Sequence, residues 1–325
     1  MKTKTKTILK ICLFLVIFGA LLVTATFTDL DLEVSKALTK NVLEPERYYT
    51  EHFYGAMMET VGTAPEYLIG ALMAQIIFWY AVRLMPAGVK RTLLAGTALA
   101  GATALYGMWF KEVTGYVTRH FDTSEVNTGF LVGVTVFFAL LLSLLGTLAA
   151  RNLSDESLKK LIRFAAVSCV AMVAATLIVQ GLKIPFGRMR YRAMNVIGDF
   201  GKNDLFPGFT RWYVMGGQPD KQLMRDTFGT SDAFKSFPSG HTRGAAATFY
   251  LATMAGVMGL SKKKRIALWA FAAVFTVAVA VSRIMVGAHF FSDVLVGGTV
   301  GFVCCVGSKA LFVDRPKRIK ASTAD

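Results

Sequence analysis

Charge is scarce in this chain. Asp, Glu, Lys and Arg make up 18% of its 325 residues, against about 25% in a soluble domain. The shortfall falls in long apolar runs and the mean hydropathy is +0.49. An ordinary water-soluble domain is thereby excluded, and the bilayer becomes the expected solvent. Cysteine is scarce too. Cys12, Cys169, Cys304 and Cys305 all lie inside apolar runs. None is placed to staple an external loop, and no Cys/His spacing suits a structural metal site. Internal repeats, low-complexity stretches and a separate basic domain are absent from the sequence. The net charge of +15 is therefore not read as a nucleic-acid footprint. It reads as basic cytoplasmic loops and, in part, as a site for an anionic ligand.

What is present is a set of eight apolar runs, at 8–27, 67–85, 92–110, 130–150, 162–181, 241–260, 266–281 and 290–312. Each comes near the roughly 20 residues that cross a hydrocarbon core of about 30 Å. The predicted fold is all-α: a multi-pass transmembrane helical bundle of about eight spans, forming a single integral membrane domain over 1–325. Basic residues decide its sidedness. Lys2, Lys4 and Lys6 precede the first run. Arg83, Lys90 and Arg91 fill the second link, Arg151, Lys159, Lys160 and Arg163 the fourth, and Lys262, Lys263, Lys264 and Arg265 the sixth. Arg315, Lys317, Arg318 and Lys320 follow the last run. All fall on one side of an even-numbered threading. Both termini are thus expected in the cytoplasm of a cell bounded by a cytoplasmic membrane, with links one, three, five and seven outside. The first run also has the composition of a signal peptide, but its length is at the upper limit for one and no small-x-small site follows it. The sidedness is the same either way.

Two external links stand out. Link one, 28–66, is acidic, with Asp29, Asp31, Glu33, Glu44, Glu46, Glu51 and Glu59. It mixes apolar and charged residues at helical spacing over 30–38 and 49–61, which predicts short helices at the outer interface. Link five, 183–240, is external yet basic, carrying Lys183, Arg188, Arg190, Arg192, Lys202, Arg211, Lys221, Arg225 and Lys235. A basic surface facing anionic lipid heads explains this pattern, and so does a phosphorylated ligand.

Only four histidines occur, and His241 and His289 both stand where external links meet membrane helices. Histidine is the usual acid or base at neutral pH. Asp293 follows His289 by four residues, on the same face of a helix. Its carboxylate is expected to accept from one ring nitrogen and leave the other free to attack, the logic of an oriented nucleophile. Arg283 stands six residues before His289, where it either snorkels to head groups or clamps phosphate oxygens. His241 ends the segment Phe237-Pro238-Ser239-Gly240-His241, where an apolar helix begins. Pro and Ser suit a helix N-terminus, whose free N–H groups bind phosphate, and Gly240 permits close backbone approach. Lys183 and Arg190 add two cations to Arg283.

In this order and spacing, Lys183-x6-Arg190, Pro238-Ser239-Gly240-His241 and Ser282-Arg283-x5-His289-x3-Asp293 resemble the three-part signature of the type 2 phosphatidic acid phosphatase superfamily, which shares its site with vanadium haloperoxidases. The resemblance covers 162–312. In one place the sequence departs from the family pattern: Tyr191 stands where a Pro usually follows the Arg, and Arg188 and Arg192 flank that position. The resemblance implies a membrane phosphatase acting on a lipid phosphate or lipid pyrophosphate at the extracytoplasmic face. His289 would form a phosphohistidine, with Asp293 orienting it and His241 protonating the leaving alkoxide and then activating water. Lys183, Arg190, Ser239, Gly240 and Arg283 would hold the phosphate. It also implies chemistry without a metal or other cofactor, and the sequence offers no carboxylate cluster for Mg²⁺. The expected partners are a lipid phosphate in the bilayer and membrane lipids, with no nucleic acid. A lipid phosphotransferase and a non-catalytic lipid-phosphate binding or transport protein are the competing functions.

Overall fold

The computed structural model describes residues 3–40, 42, 47–49, 52–120 and 126–314. Lys2, Glu44, Glu46, Glu51, Arg315, Lys317, Arg318 and Lys320, which entered the sidedness argument, lie outside the described residues, as do the side chains of Lys4, Lys6 and Cys12.

The described chain is helical throughout, with no strand and a single bridge between Lys202 and Pro207. In chain order the helices are α1 (Thr3–Phe27), α2 (Leu30–Thr39), α3 (Phe53–Gly62), α4 (Ala64–Leu84), α5 (Val89–His120), α6 (Thr128–Arg151) and α7 (Asp155–Phe186). Then come α8 (Tyr191–Ile197), α9 (Lys221–Phe228), α10 (Gly240–Ala245), α11 (Thr248–Val257), α12 (Lys262–Met285) and α13 (Phe291–Ser308), which runs into a wider turn at Lys309–Asp314. Local chemistry sets several of the ends. Asn127 caps α6 by accepting from the Gly129 N–H. Asp220 caps α9 by accepting from Gln222 and Leu223. Both leave fewer orphan donors in the first turn. Pro185 lies in the last turn of α7, where its missing N–H and bulky ring stop the helix from continuing.

Six stretches are long and apolar enough to cross a membrane: Phe53–Leu84, Val89–Arg119, Thr128–Arg151, Asp155–Ile197, Lys262–Met285 and Phe291–Asp314. The protein is thus an all-helical membrane protein, but the expected eight spans do not map one to one. The first run contributes a shorter apolar helix, Val16–Phe27, among the described residues. The run at 241–260 is interrupted. Beyond Ala246 its backbone tightens to three-residue bonds, Ala247 to Gly244, Phe249 to Ala246 and Tyr250 to Ala247, and it divides into α10 and α11. Link one holds the two short helices expected. The second of them, α3, is separated from α4 by Thr63 alone, so Phe53–Leu84 reads as one crossing stretch rather than a surface helix followed by a span.

The chain divides into two compact units. The first comprises the chain up to Gly55, Val179–Ser239 and Ala280–Gly297; the second comprises Ala56–Ile178, Gly240–Val279 and the chain from Gly298. The second unit is built like a membrane bundle. Ile69, Met73, Ile76, Leu161, Phe164 and Tyr250 anchor its main core. Ala71, Ala74, Ala102 and Ala139 form another with Tyr106, the small side chains that let membrane helices approach closely. Large apolar residues such as Phe130, Val170 and Val274 stay exposed, as expected of faces turned to lipid. The core of the first unit is aromatic and thioether-rich: Tyr48, Phe206, Phe228, Phe234 and Phe290 with Met189, Met194 and Met224. This core holds the long segment after α8. Gly187, with φ +50°, sits so close to the Gly217 carbonyl that a Cβ would lie 1.6 Å from its oxygen, so that contact admits only glycine.

Candidate active site

Six of the eight predicted site residues, Lys183, Arg190, Ser239, Arg283, His289 and Asp293, fall in the first unit. Main-chain hydrogen bonds stitch their three sequence blocks together. The Ser236 N–H donates to the Arg188 carbonyl at 3.0 Å, that of Arg190 to Ala233 at 2.8 Å, and that of Arg192 to Gly287 at 2.9 Å. The Ser239 N–H donates to the Asp293 carbonyl at 3.0 Å, and that of His289 to Arg283 at 3.2 Å. Gly297 on α13 makes the second block fit. A Cβ there would lie 2.2 Å from the Ser239 carbonyl oxygen, so the absence of a side chain lets the backbone of Ser239 settle onto the helix.

The nucleophile candidate is oriented, but by a different group from the one expected. His289 is 2% exposed, and its Nδ1 lies 2.5 Å from the carbonyl oxygen of Ser236. A carbonyl only accepts, so Nδ1 carries the proton and Nε2 is the unprotonated ring nitrogen of the neutral imidazole. Asp293 Oδ2 is 3.9 Å from Nδ1, beyond hydrogen-bond reach. The physical reason is saturation. Asp293 is fully buried, and its carboxylate already accepts from Ser236 Oγ at 2.5 Å, from the Phe290 N–H at 2.8 Å and from Arg188 Nη1 at 2.7 Å. Asp293 therefore acts on the imidazole through its field, while Ser236 holds the ring with its carbonyl and the carboxylate with its hydroxyl.

The cations converge on the same unit. Lys183, in the last turn of α7, is 8% exposed, donates to the Lys235 carbonyl at 2.9 Å and lies within electrostatic reach of Asp293 and Arg190. Arg283 is fully buried and donates to the Gly55 carbonyl and to Ser282 Oγ. Arg190 is held by Asp232 at 3.3 Å, and its buried Nε has no hydrogen-bond partner. Arg192 stacks 4.4 Å above the Tyr48 ring. Burial alone would push the Asp232 carboxyl up, but Arg190 and Arg192, with hydroxyls from Tyr48 at 2.6 Å and Thr230 at 3.0 Å, hold it well below the usual carboxylate range. Burial pushes the Tyr48 phenol up.

Gly240 and His241 open α10 and belong to the second unit. There the Tyr116 hydroxyl lies 3.0 Å from His241 Nε2. The Arg119 guanidinium sits 5.2 Å from the Tyr116 ring centroid and pairs with Glu59 at 3.1 Å. Among the described residues, no three His, Cys, Asp or Glu side chains gather as metal ligands would.

Sequence reasoning did not assign Ser236, Arg188, Ser292, Asp31 or Tyr116. For Asp31 a signal existed. Asp31, Ser35 and Thr39 are all buried on α2, and their spacing of four marks one helical face carrying polar rather than apolar groups.

The family model described as PAP2 superfamily matches residues 164–317. No curated protein and no solved structure matches the chain.

Proposed function

The chain belongs to the PAP2 superfamily through residues 164–317, and on that premise we propose that it is a metal-independent phosphatase of lipid-linked phosphate or pyrophosphate. The superfamily supports a membrane phosphatase acting on phosphate esters. In this reading the substrate is lipid-linked, the active face is extracytoplasmic and the intermediate is a phosphohistidine. The observation that carries it is the buried His289, its Nδ1 fixed by the Ser236 carbonyl, in one unit with Lys183, Arg190 and Arg283.

The reaction runs in two displacements. His289 Nε2 attacks phosphorus and the bond to the leaving oxygen breaks, with His241 giving that oxygen a proton. Water then attacks the phosphohistidine, His241 takes a proton from it, and inorganic phosphate and free His289 are restored. Lys183, Arg190 and Arg283 neutralise the equatorial oxygens as charge spreads over them, the work a metal ion does in other phosphoryl transfers. Six apolar stretches in one chain favour a substrate anchored in the bilayer. The excess of Lys and Arg in 183–240 supports an anionic head group on the side opposite the basic loops.

The test is phosphate release by purified protein from a panel of phosphatidate, phosphatidylglycerol phosphate and polyprenyl pyrophosphate, with and without EDTA. The expected result is turnover of at least one lipid, insensitive to EDTA and lost in His289→Ala. A strict need for Mg²⁺ would sink the metal-free mechanism. Substrate loss without stoichiometric phosphate would instead favour transfer to another lipid.

A further inference from the structure

Arg188 is a buried cation bonded directly to Asp293, and the reaction above gives it no part. It is 1% exposed, and every one of its nitrogens is engaged. Nε donates to the Thr210 carbonyl at 2.9 Å, Nη1 to Asp293 Oδ1 at 2.7 Å and Ser292 Oγ at 2.9 Å, and Nη2 to Asp31 Oδ2 at 2.9 Å. The Phe290 ring covers its face, 4.1 Å from centroid to guanidinium carbon. Four of its five N–H groups are thus committed within the protein. Asp31 is just as enclosed, at 2% exposure. It accepts from the Ser292 N–H at 2.7 Å and the Ser292 hydroxyl at 2.6 Å as well as from Arg188. Burying two carboxylates around one guanidinium is costly unless the arrangement is used.

We infer that Asp31, on α2 and outside the family-matched residues, is a positioning residue for the His289–Asp293 pair, acting through Arg188; this step rests on the phosphatase reading. With Arg188 alone beside it, the Asp293 charge would be cancelled at close range. Asp31 takes half of the guanidinium and leaves the trio with one net negative charge behind the imidazole, whose Nδ1 is 3.9 Å from Asp293. That charge matters most after attack. Once Nε2 bonds to phosphorus while Nδ1 keeps its proton on the Ser236 carbonyl, the ring becomes cationic, and a nearby anion stabilises it. Lys183, at the end of α7, lies within electrostatic reach of Asp293 together with Arg190, Asp232 and Lys235, and Arg283, at the end of α12, accepts from the His289 N–H through its carbonyl. Lys183 and Arg283 are cations that disfavour a charged ring, which makes the negative charge of the trio matter more.

The full-length protein in detergent micelles, assayed for phosphate release from dioleoyl phosphatidate, provides the test. Asp31→Asn is expected to lower kcat about tenfold with KM within about twofold, because only the charged intermediate loses support. Removing an anion also disfavours the imidazolium, so His289 stays deprotonated to lower pH and the acid limb of kcat/KM moves down by about one pH unit. Asp31→Glu should restore both. Ser292→Ala, which removes a hydroxyl but no charge, should leave the acid limb in place. Wild-type kcat and an unmoved limb in Asp31→Asn would overturn the inference, as would a Ser292→Ala variant that moves the limb equally. Should Asp31→Asn not fold, a shifted limb in Asp31→Glu overturns it. An active wild type with inactive His289→Ala keeps the phosphatase reading standing through any of these failures, whereas an active His289→Ala removes both.

Discussion

The two units bury charge in opposite ways. In the second, the buried Arg243 and the partly exposed Arg119 each meet a carboxylate. Arg243 grips Glu66 through two bonds of 2.5 and 2.6 Å, with Thr176 donating to the same carboxylate at 3.0 Å. Arg119 meets Glu59, and Glu112 accepts from the hydroxyls of Thr63 and Tyr67. In the first, Lys183, Arg188, Arg190, Arg192 and Arg283 stand against Asp31, Asp232 and Asp293. A balanced set needs nothing further and serves the fold. A surplus of enclosed cations is expensive by itself and persists where an anion is to be received. On the phosphatase reading, the sign of the imbalance separates a structural polar cluster from a binding one.

The sharpest way to break that comparison is to remove the nucleophile. His289→Ala should lower phosphate release at least roughly 10⁴-fold while the melting temperature stays close to wild type, since one side chain of the cluster is lost but no charge is stranded. Next in size is Arg283→Gln. If the surplus cations serve the transition state, kcat should fall about 10²- to 10³-fold, measured by initial rates at saturating lipid. A loss confined to KM would mean that Arg283 binds substrate and transition state alike. Third, and in the other unit, Glu66→Gln strands the Arg243 guanidinium. It should cost about 3 kcal/mol of stability, seen as a lower melting temperature in detergent, with kcat per folded molecule unchanged. A large fall in kcat there would show that the balanced cluster also takes part in the chemistry.

The sequence carried the membrane character and the family blocks because both are written in side chains at short range. Apolar runs mark spans, and Lys183, Arg190, Ser239, Arg283, His289 and Asp293 are named by motif spacing. What was not legible depends on the backbone or on distance along the chain. The group that orients His289 is a carbonyl, that of Ser236, and any residue carries one. Asp31 reaches Arg188 across 157 positions, and Tyr116 reaches His241 across 125, separations that no periodicity encodes. The division of 241–260 into α10 and α11 was hidden for a similar reason. The run is apolar throughout, and its break is a change of hydrogen-bond register around Ala246 and Ala247, not a change of composition.

Gly297 comes fourth among the tests. A methyl group at this position would press on the Ser239 carbonyl at 2.2 Å, and because that atom is backbone the Ser239 turn must shift. Gly297→Ala should cost about 2 kcal/mol and lower kcat as well, since the Ser239 N–H is tied to Asp293. A stable, fully active Gly297→Ala would mean that the second block need not sit where the first unit holds it.

The smallest effect concerns Asp232, the carboxylate that pairs with Arg190 and Arg192 in the first unit. Its carboxyl lies below the usual range in the folded protein because Arg190 and Arg192, helped by Tyr48 and Thr230, outweigh burial. A depressed folded value means that the stabilisation is fully present above the ordinary carboxylate pKa of about 3.9 and is lost as pH falls through the lower folded value. The wild-type melting temperature should therefore drop as pH is taken below about 4. Asp232→Asn should lose about 1 kcal/mol at neutral pH and show a shallower acid drop. Inorganic phosphate, binding the cations that Asp232 no longer restrains, should recover more of the melting temperature in Asp232→Asn than in wild type. Equal recovery in both would mean that Asp232 and the phosphate do not draw on the same cations.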